Sequence, residues 1–294
     1  MSAQLLAGRP VARVIRRQTV AAAERFQAQL RRPPALVSLR IGDDPASVSY
    51  GRTLERACER INLGFHEMVL PTEHPRLTET LKALNIDPGV DAIVVQQPLP
   101  APFSLEMVAE ILNPQKDVDG LTPVNTGRVA LGQGGYVPST PAGGMAILHH
   151  YGIPIKGAEA VVLGRSPIVG RPLAQLLLQE HATVTICHTR TRDLASVTRR
   201  ADILCVAAGR AGLITPEMVR PGAVVVDFGT NVVDGGLVGD VDPAVGEVAA
   251  WLTPVPGGTG PVTTAILLRA TVQAACDRLG VTLTAHPSNG SVTP

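Results

Sequence analysis

The stretch from Ala158 to Arg190, AEAVVLGRSPIVGRPLAQLLLQEHATVTICHTR, decides the fold. It reads as strand, tight turn, helix, strand. Ala160–Leu163 is a short apolar run closed by Gly164, the pattern of a parallel strand buried on both faces. Gly164, Ser166 and Gly170 form a G-x-S-x-x-x-G turn. An apolar helix carrying Leu173, Leu176 and Leu177 follows to about Glu180, and Thr183–Cys187 is the next strand. Such a unit aims backbone N–H groups and a helix N-terminus at one spot, where a pyrophosphate can bind. The strict G-x-G-x-x-G spacing is absent, so an ordinary βαβ packing unit with turn glycines fits the same residues.

The end of the second strand favours a nucleotide. An NAD site usually has an acid there to hold the ribose hydroxyls. Here His188, Thr189, Arg190 and Arg192 precede the first acid, Asp193. Cationic and hydroxyl groups suit a 2′-phosphate, which favours NADP over NAD.

Composition narrows the remaining classes. A chain of 294 residues suggests about two domains. A net charge of +1 argues against a nucleic-acid partner. No apolar run approaches the length of a membrane span. The Arg-rich start (Arg9, Arg13, Arg16, Arg17) resembles a transit peptide in charge, but Val11, Ile15, Ala22, Phe26 and Leu30 share one helical stripe and make it the first helix of the fold. Cys58, Cys187, Cys205 and Cys276 lie far apart with no C-x-x-C pair, which fits a reducing cytoplasm and no metal site. His149 and His150, side by side near a helix end, read as surface residues.

Pro10 stands near the start of that helix and Pro33-Pro34 closes it. Strands are expected at Ala35–Ile41, Phe65–Leu70 and Asp91–Gln97, with helices from about Val48 to Asn62 (Ser47 as cap), Leu77–Leu84 and Met107–Leu112. A polar, turn-rich run from Asn113 to Gly135 separates this part from the next. A helix from about Gly144 to Tyr151, strands at Ile203–Ala207 and Ala223–Phe228, and a last helix from Val262 to about Leu279 complete the chain. The alternation marks an α/β protein: a three-layer α/β domain over 1–120, completed by helix 262–280, and a Rossmann-type domain over 138–261. The final residues, 281–294, read as a disordered tail.

Six stretches together resemble the methylenetetrahydrofolate dehydrogenase/cyclohydrolase family of one-carbon metabolism. They are GDDPASVSY (Gly42–Tyr50), VQQPLP (Val95–Pro100), KDVDG (Lys116–Gly120), PSTPAG (Pro138–Gly143), GRSPIVGRP (Gly164–Pro172) and PVPGGTGP (Pro254–Pro261), in family order. The resemblance implies folate bound in a cleft between two domains, NADP on the second domain, and a homodimer. Tyr50 resembles the tyrosine that stacks beside the aminobenzoate ring, Gln96 the glutamine near the reacting one-carbon unit, and Asp119 the aspartate that hydrogen-bonds the pterin. Gly164, Arg165 and Ser166 match the cofactor loop, with His188, Thr189 and Arg190 toward the 2′-phosphate. Thr230 matches a residue contacting the cofactor through its backbone, and Pro261 lines the folate side.

One position departs from the family pattern Y-x-x-x-K. The run is Tyr50-Gly51-Arg52-Thr53-Leu54, so leucine stands where the family has lysine. Residues four apart share a helix face, and Leu54 carries no proton. Arg52 and Arg56 point elsewhere, and a guanidinium does not deprotonate. Gln97 also replaces a usual leucine. Hydride transfer needs positioning, whereas hydrolysis of the methenyl product needs a proton shuttle, so the hydrolase half is expected to be weak or lost. A fully bifunctional enzyme with another relay, a non-catalytic folate/NADP-binding paralogue, and a dehydrogenase of a different substrate stay open on the sequence.

Overall fold

In the computed structural model, which describes residues 2–73 and 76–281, the chain opens with a short strand, β1 (Gln4–Leu5), and a long helix, α1 (Gly8–Leu30). Val11, Ile15 and Phe26 are buried along one stripe of α1, and Arg9, Arg13 and Arg17 face water. There follow β2 (Ala35–Ile41), α2 (Pro45–Glu59), β3 (Gly64–Leu70), α3 (Leu77–Ile86), β4 (Ala92–Val95) and α4 (Leu105–Ile111). The strands form a three-stranded parallel sheet in the order β3-β2-β4. The α2 cap differs from expectation. Asp44 Oδ2 accepts the Ser47 N–H at 2.9 Å, and Ser47 sits inside the first turn. Pro45 takes the first helical position, where no N–H is needed, and so moves the start upstream.

The turn-rich run contains a helix that its composition hid, α5 (Pro123–Ala130). Thr122 caps it by accepting the Asn125 N–H, and Asn125 and Val129 are its buried residues. Thr, Pro, Asn and Gly are weak helix interiors but good helix starts, and burial decided the outcome.

The rest of the chain gives α6 (Ser139–His150), β5 (Glu159–Leu163), α7 (Gly170–Gln179), β6 (Thr183–Cys187), α8 (Leu194–Thr198), β7 (Ile203–Val206), β8 (Val224–Asp227), β9 (Asn231–Val233), β10 (Gly236–Val238), β11 (Trp251–Leu252) and α9 (Thr259–Leu279). Six strands pair in parallel in the order β1-β11-β8-β7-β5-β6, and β9 and β10 form an antiparallel pair. β1, β11 and the β9–β10 pair were not expected. Strands of two or three residues are too short to show a period in sequence. Cys187 and Cys205 are buried in β6 and β7 as the apolar runs require, and all four cysteines are free.

The chain divides into two units, one of residues 2–15 and 119–267 and the other of 16–118 with 268 onward. β1 belongs with the six-stranded sheet, through Gln4 opposite Trp251 and Leu5 opposite Leu252, although the sequence placed the chain start with the other domain. In the unit of 16–118, Asp91 is fully buried at the entry to β4. Its carboxylate accepts from Arg32 at 2.6 and 2.9 Å, from the Ala35 N–H at 2.9 Å, and from Arg278 near the end of α9. Burial pushes this carboxyl up, but the bonds from Arg32, Ala35 and Arg278 outweigh it and hold it below the ordinary range. The expected disordered tail, 281–294, lies outside the described residues apart from Val281.

Candidate active site

Helix α2 places its residues by their spacing. Tyr50 is 36% exposed, whereas Leu54, one turn later, is completely buried. Arg52 and Arg56 are exposed. Between them Gly51 is a packing requirement: a Cβ there would fall 2.0 Å from Glu67 Oε1 and 3.3 Å from Gln96 Nε2. Glycine in mid-helix costs about 1 kcal/mol, and here it lets two polar side chains approach the helix backbone.

Gln96 follows β4 and is 4% exposed. Its Nε2 donates to Ser38 Oγ on β2 at 2.8 Å, while Oε1 is buried with no hydrogen-bond partner. Glu67 on β3 is similar: Oε1 is buried without a hydrogen bond, and lies 3.3 Å from Arg40 Nε on β2. Arg40, 9% exposed, also donates to Asp43 at 2.9 Å and to the Gly42 carbonyl. These acceptors hold its guanidinium above the ordinary range, the Asp43 bond first. Gln97 is exposed, and its carbonyl accepts from Ser47 Oγ at 2.7 Å.

The K-D-V-D-G run is held by Lys116, 2% exposed, whose Nζ donates to the Leu84 and Asp87 carbonyls at 2.7 and 2.6 Å. The ammonium thereby closes the C-terminus of α3. Desolvation, then the nearby Arg278, lowers its pKa. Asp119 is half-buried in the turn after it. Gly120 has φ +62°, and a Cβ there would meet the Tyr136 carbonyl at 2.2 Å. Pro261 lies in the first turn of α9, which begins three residues earlier than Val262.

On the six-stranded sheet β5 lies between β6 and β7, so the chain reverses direction across the sheet at β5, the usual place for a nucleotide. Gly164, just past β5, has φ +137°, and a Cβ on it would stand 2.4 Å from the Ala207 carbonyl. A Cβ on Gly170 would stand 2.1 Å from the Gly164 carbonyl. Ser166 Oγ accepts the Val169 N–H at 3.1 Å and so organises the turn into α7. A cavity of about 430 Å³ opens at these carboxyl ends, and Gly164, Arg165, His188, Thr189, Thr191 and Arg210 are among its lining residues. Among the described residues no acidic side chain lines it. Arg190 and Thr230 are exposed outside its lining, and Ser166 is not part of it either.

The far wall is set by two carboxylates. Asp240, fully buried, accepts the backbone N–H groups of Ala208, Gly209 and Arg210 at 2.6, 2.8 and 2.8 Å, and Asn231 Nδ2 at 2.8 Å. Asp227 accepts from the Gly229, Asp240 and Val241 N–H groups at 2.7, 3.1 and 3.0 Å. Burial, aided by the Asp240 charge, keeps Asp227 above the ordinary carboxyl range despite those bonds.

Two family models cover most of the chain. Residues 6–119 match the catalytic domain of tetrahydrofolate dehydrogenase/cyclohydrolase, and residues 138–279 match its NAD(P)-binding domain. The chain belongs to the tetrahydrofolate dehydrogenase/cyclohydrolase family. A bifunctional protein FolD of Chloroflexus aurantiacus is 48% identical over 285 residues, 96% of this chain and all of that one. The crystal structure of a bifunctional FolD from Campylobacter jejuni superposes with a TM-score of 0.91 at 38% identity, over 94% of this chain and all of that one. A Trypanosoma brucei FolD, solved with NADP cofactor and inhibitor, superposes with a TM-score of 0.89 at 34% identity, over 95% and 99% of the two chains.

Within the tetrahydrofolate dehydrogenase/cyclohydrolase frame, Tyr50, Leu54 and Gln96 lie in the catalytic-domain match, and the glycine cradle lies in the NAD(P)-binding match. Sequence reasoning passed over Ser38, Arg40 and Glu67 around Gln96, and Thr191, Arg210 and Asp240 around the cavity. Only Gly51 signalled the first group, as a glycine inside a helical pattern marking a close approach.

Proposed function

We propose that the chain is an NADP-dependent methylenetetrahydrofolate dehydrogenase whose cyclohydrolase half is weak because Leu54 stands in the lysine position. The observation that supports it best is the cavity at the β5 switch point, bounded by Arg165, His188, Thr189 and Arg210 and, among the described residues, by no acid. The backbone cradle at Gly164 and Gly170 fits a pyrophosphate, and the cationic rim fits a 2′-phosphate where an acid would repel it. Bound there, the nicotinamide supplies the hydride acceptor.

The remaining work falls to the chain. Asp119 hydrogen-bonds the pterin, Tyr50 stacks on the aminobenzoate ring, and Pro261 lines the folate side. Loss of hydride leaves a methenyl cation, and the buried, unpartnered Oε1 of Gln96 is an acceptor suited to it. Hydrolysis of that cation adds water and moves protons, a task worth about 10²–10⁴-fold to a positioned acid or base. Leu54 offers none. The bifunctional naming of the relatives favours a second reading, in which another group carries the proton. The same reading carries a homodimer in a reducing cytoplasm, which suits four buried free thiols.

The test follows NADPH and the methenyl product as separate signals during turnover. One methenyl per NADPH, accumulating, is expected. No NADPH with methylenetetrahydrofolate, or equal efficiency with NAD, would refute the assignment.

A further inference from the structure

Three side chains meet where the family lysine is missing. Glu67 Oε1, Gln96 Oε1 and Arg40 Nε are each buried without a hydrogen bond, the first and last facing each other as an ion pair at 3.3 Å, and a Cβ added to Gly51, three residues before Leu54 on α2, would meet Glu67 Oε1 and Gln96 Nε2. Buried polar atoms without partners are rare in folded proteins and mark strain, catalysis or a ligand to come. Here an ion pair and an amide whose oxygen lacks a hydrogen bond come together beside one glycine.

We propose that Glu67 is a catalytic residue of the hydrolytic step, the proton carrier standing in for the absent lysine. The inference rests on the folate reading above, which puts the one-carbon unit beside Gln96. Glu67 has what the task needs. Its Oε1 is fully buried next to Gln96, yet the side chain as a whole is 30% exposed, so a proton taken inside has a way to water. Arg40, 3.3 Å away and held by Asp43 and the Gly42 carbonyl, fixes the direction of the carboxylate. Gly51 is the opening through which it reaches the α2 backbone.

The step balances as follows. A water oxygen bonds to the cationic methenyl carbon while Glu67 takes one of its protons, giving a neutral carbinolamine. The bond from that carbon to N5 breaks, N5 takes the proton from Glu67, and the hydroxyl proton leaves to water. The products are 10-formyltetrahydrofolate and one proton, from one cation and one water. Gln96 Oε1 accepts from the attacking water and orients it.

The experiment supplies methenyltetrahydrofolate to the full chain, subtracts the spontaneous rate, and measures hydride transfer on the same samples. Glu67→Gln, which keeps shape and loses basicity, should slow hydrolysis at least tenfold more than hydride transfer. Gly51→Ala should do likewise with Glu67 intact, because its Cβ would fall 2.0 Å from the carboxylate oxygen. Glu67→Asp should lie between Glu67→Gln and the parent. Hydride transfer in each variant reports whether it has folded; if Glu67→Gln shows none, Glu67→Asp and Gly51→Ala decide by the same ratio. A parent no faster than the spontaneous rate, a Glu67→Gln variant hydrolysing as the parent does, or equal losses in both reactions would each overturn the proposal. Absent hydride transfer in the parent would instead bring down the dehydrogenase reading.

Discussion

The carboxylate of Asp240 accepts the backbone N–H of Arg210 at 2.8 Å, and with it the lip of the cavity beside β5 is set. Asp240 is buried and holds three successive N–H groups after β7, so the loop carrying Arg210 has no freedom to drift. Asp240→Asn keeps the size but turns one acceptor into a donor facing donors. Each buried N–H left unmatched costs about 1–3 kcal/mol. NADP affinity, followed by fluorescence of the reduced cofactor, should fall about tenfold or more, while folate affinity holds. An unaltered NADP affinity would show that the lip is positioned by something else.

Cofactor preference should lie with the cationic rim. Arg165 lines the cavity and Arg190 is exposed outside it, so Arg165→Glu should erode the preference for NADP over NAD more than Arg190→Glu does. The comparison of kcat/KM for the two cofactors in the two variants decides it. A larger effect at Arg190 would place the 2′-phosphate elsewhere.

Leu54→Lys would put an ammonium one turn from Tyr50, and hydrolysis of supplied methenyltetrahydrofolate should rise. The gain will be partial, since Leu54 is completely buried and desolvation lowers a buried lysine's pKa. The same variant should melt several degrees lower, for an uncompensated buried charge opposes folding. A parent that hydrolyses as fast as Leu54→Lys would remove the leucine from the explanation.

Asp91 makes stability depend on acid. Its folded pKa is depressed below the unfolded value of about 3.9. The contribution is therefore full above that value and is lost as pH falls through the folded one. Asp91→Asn leaves the Arg32 and Arg278 guanidinium groups without their carboxylate and should cost about 3–5 kcal/mol at pH 7. Denaturant melts of the two proteins should converge below pH 4. A constant gap from pH 7 to pH 3 would contradict the ion-pair account.

The sequence by itself determined the βαβ unit at Ala158–Arg190, the parallel strands, the family, and the leucine at position 54. The apolar run that ends in Gly164 can be read locally, because a strand buried on both faces must be apolar throughout its length. Only the tertiary structure decided that β1 adds to the six-stranded sheet, that Thr122 and Pro123 start a helix, and that Asp240 builds the cavity lip. It alone brings Glu67 and Gln96 to Gly51 from β3 and the end of β4, and sets Arg40 of β2 against Glu67. Those groups lie 27 and 29 residues apart along the chain, with nothing periodic to join them. Their meeting follows from strand order and from one missing Cβ, which neither propensity nor spacing records.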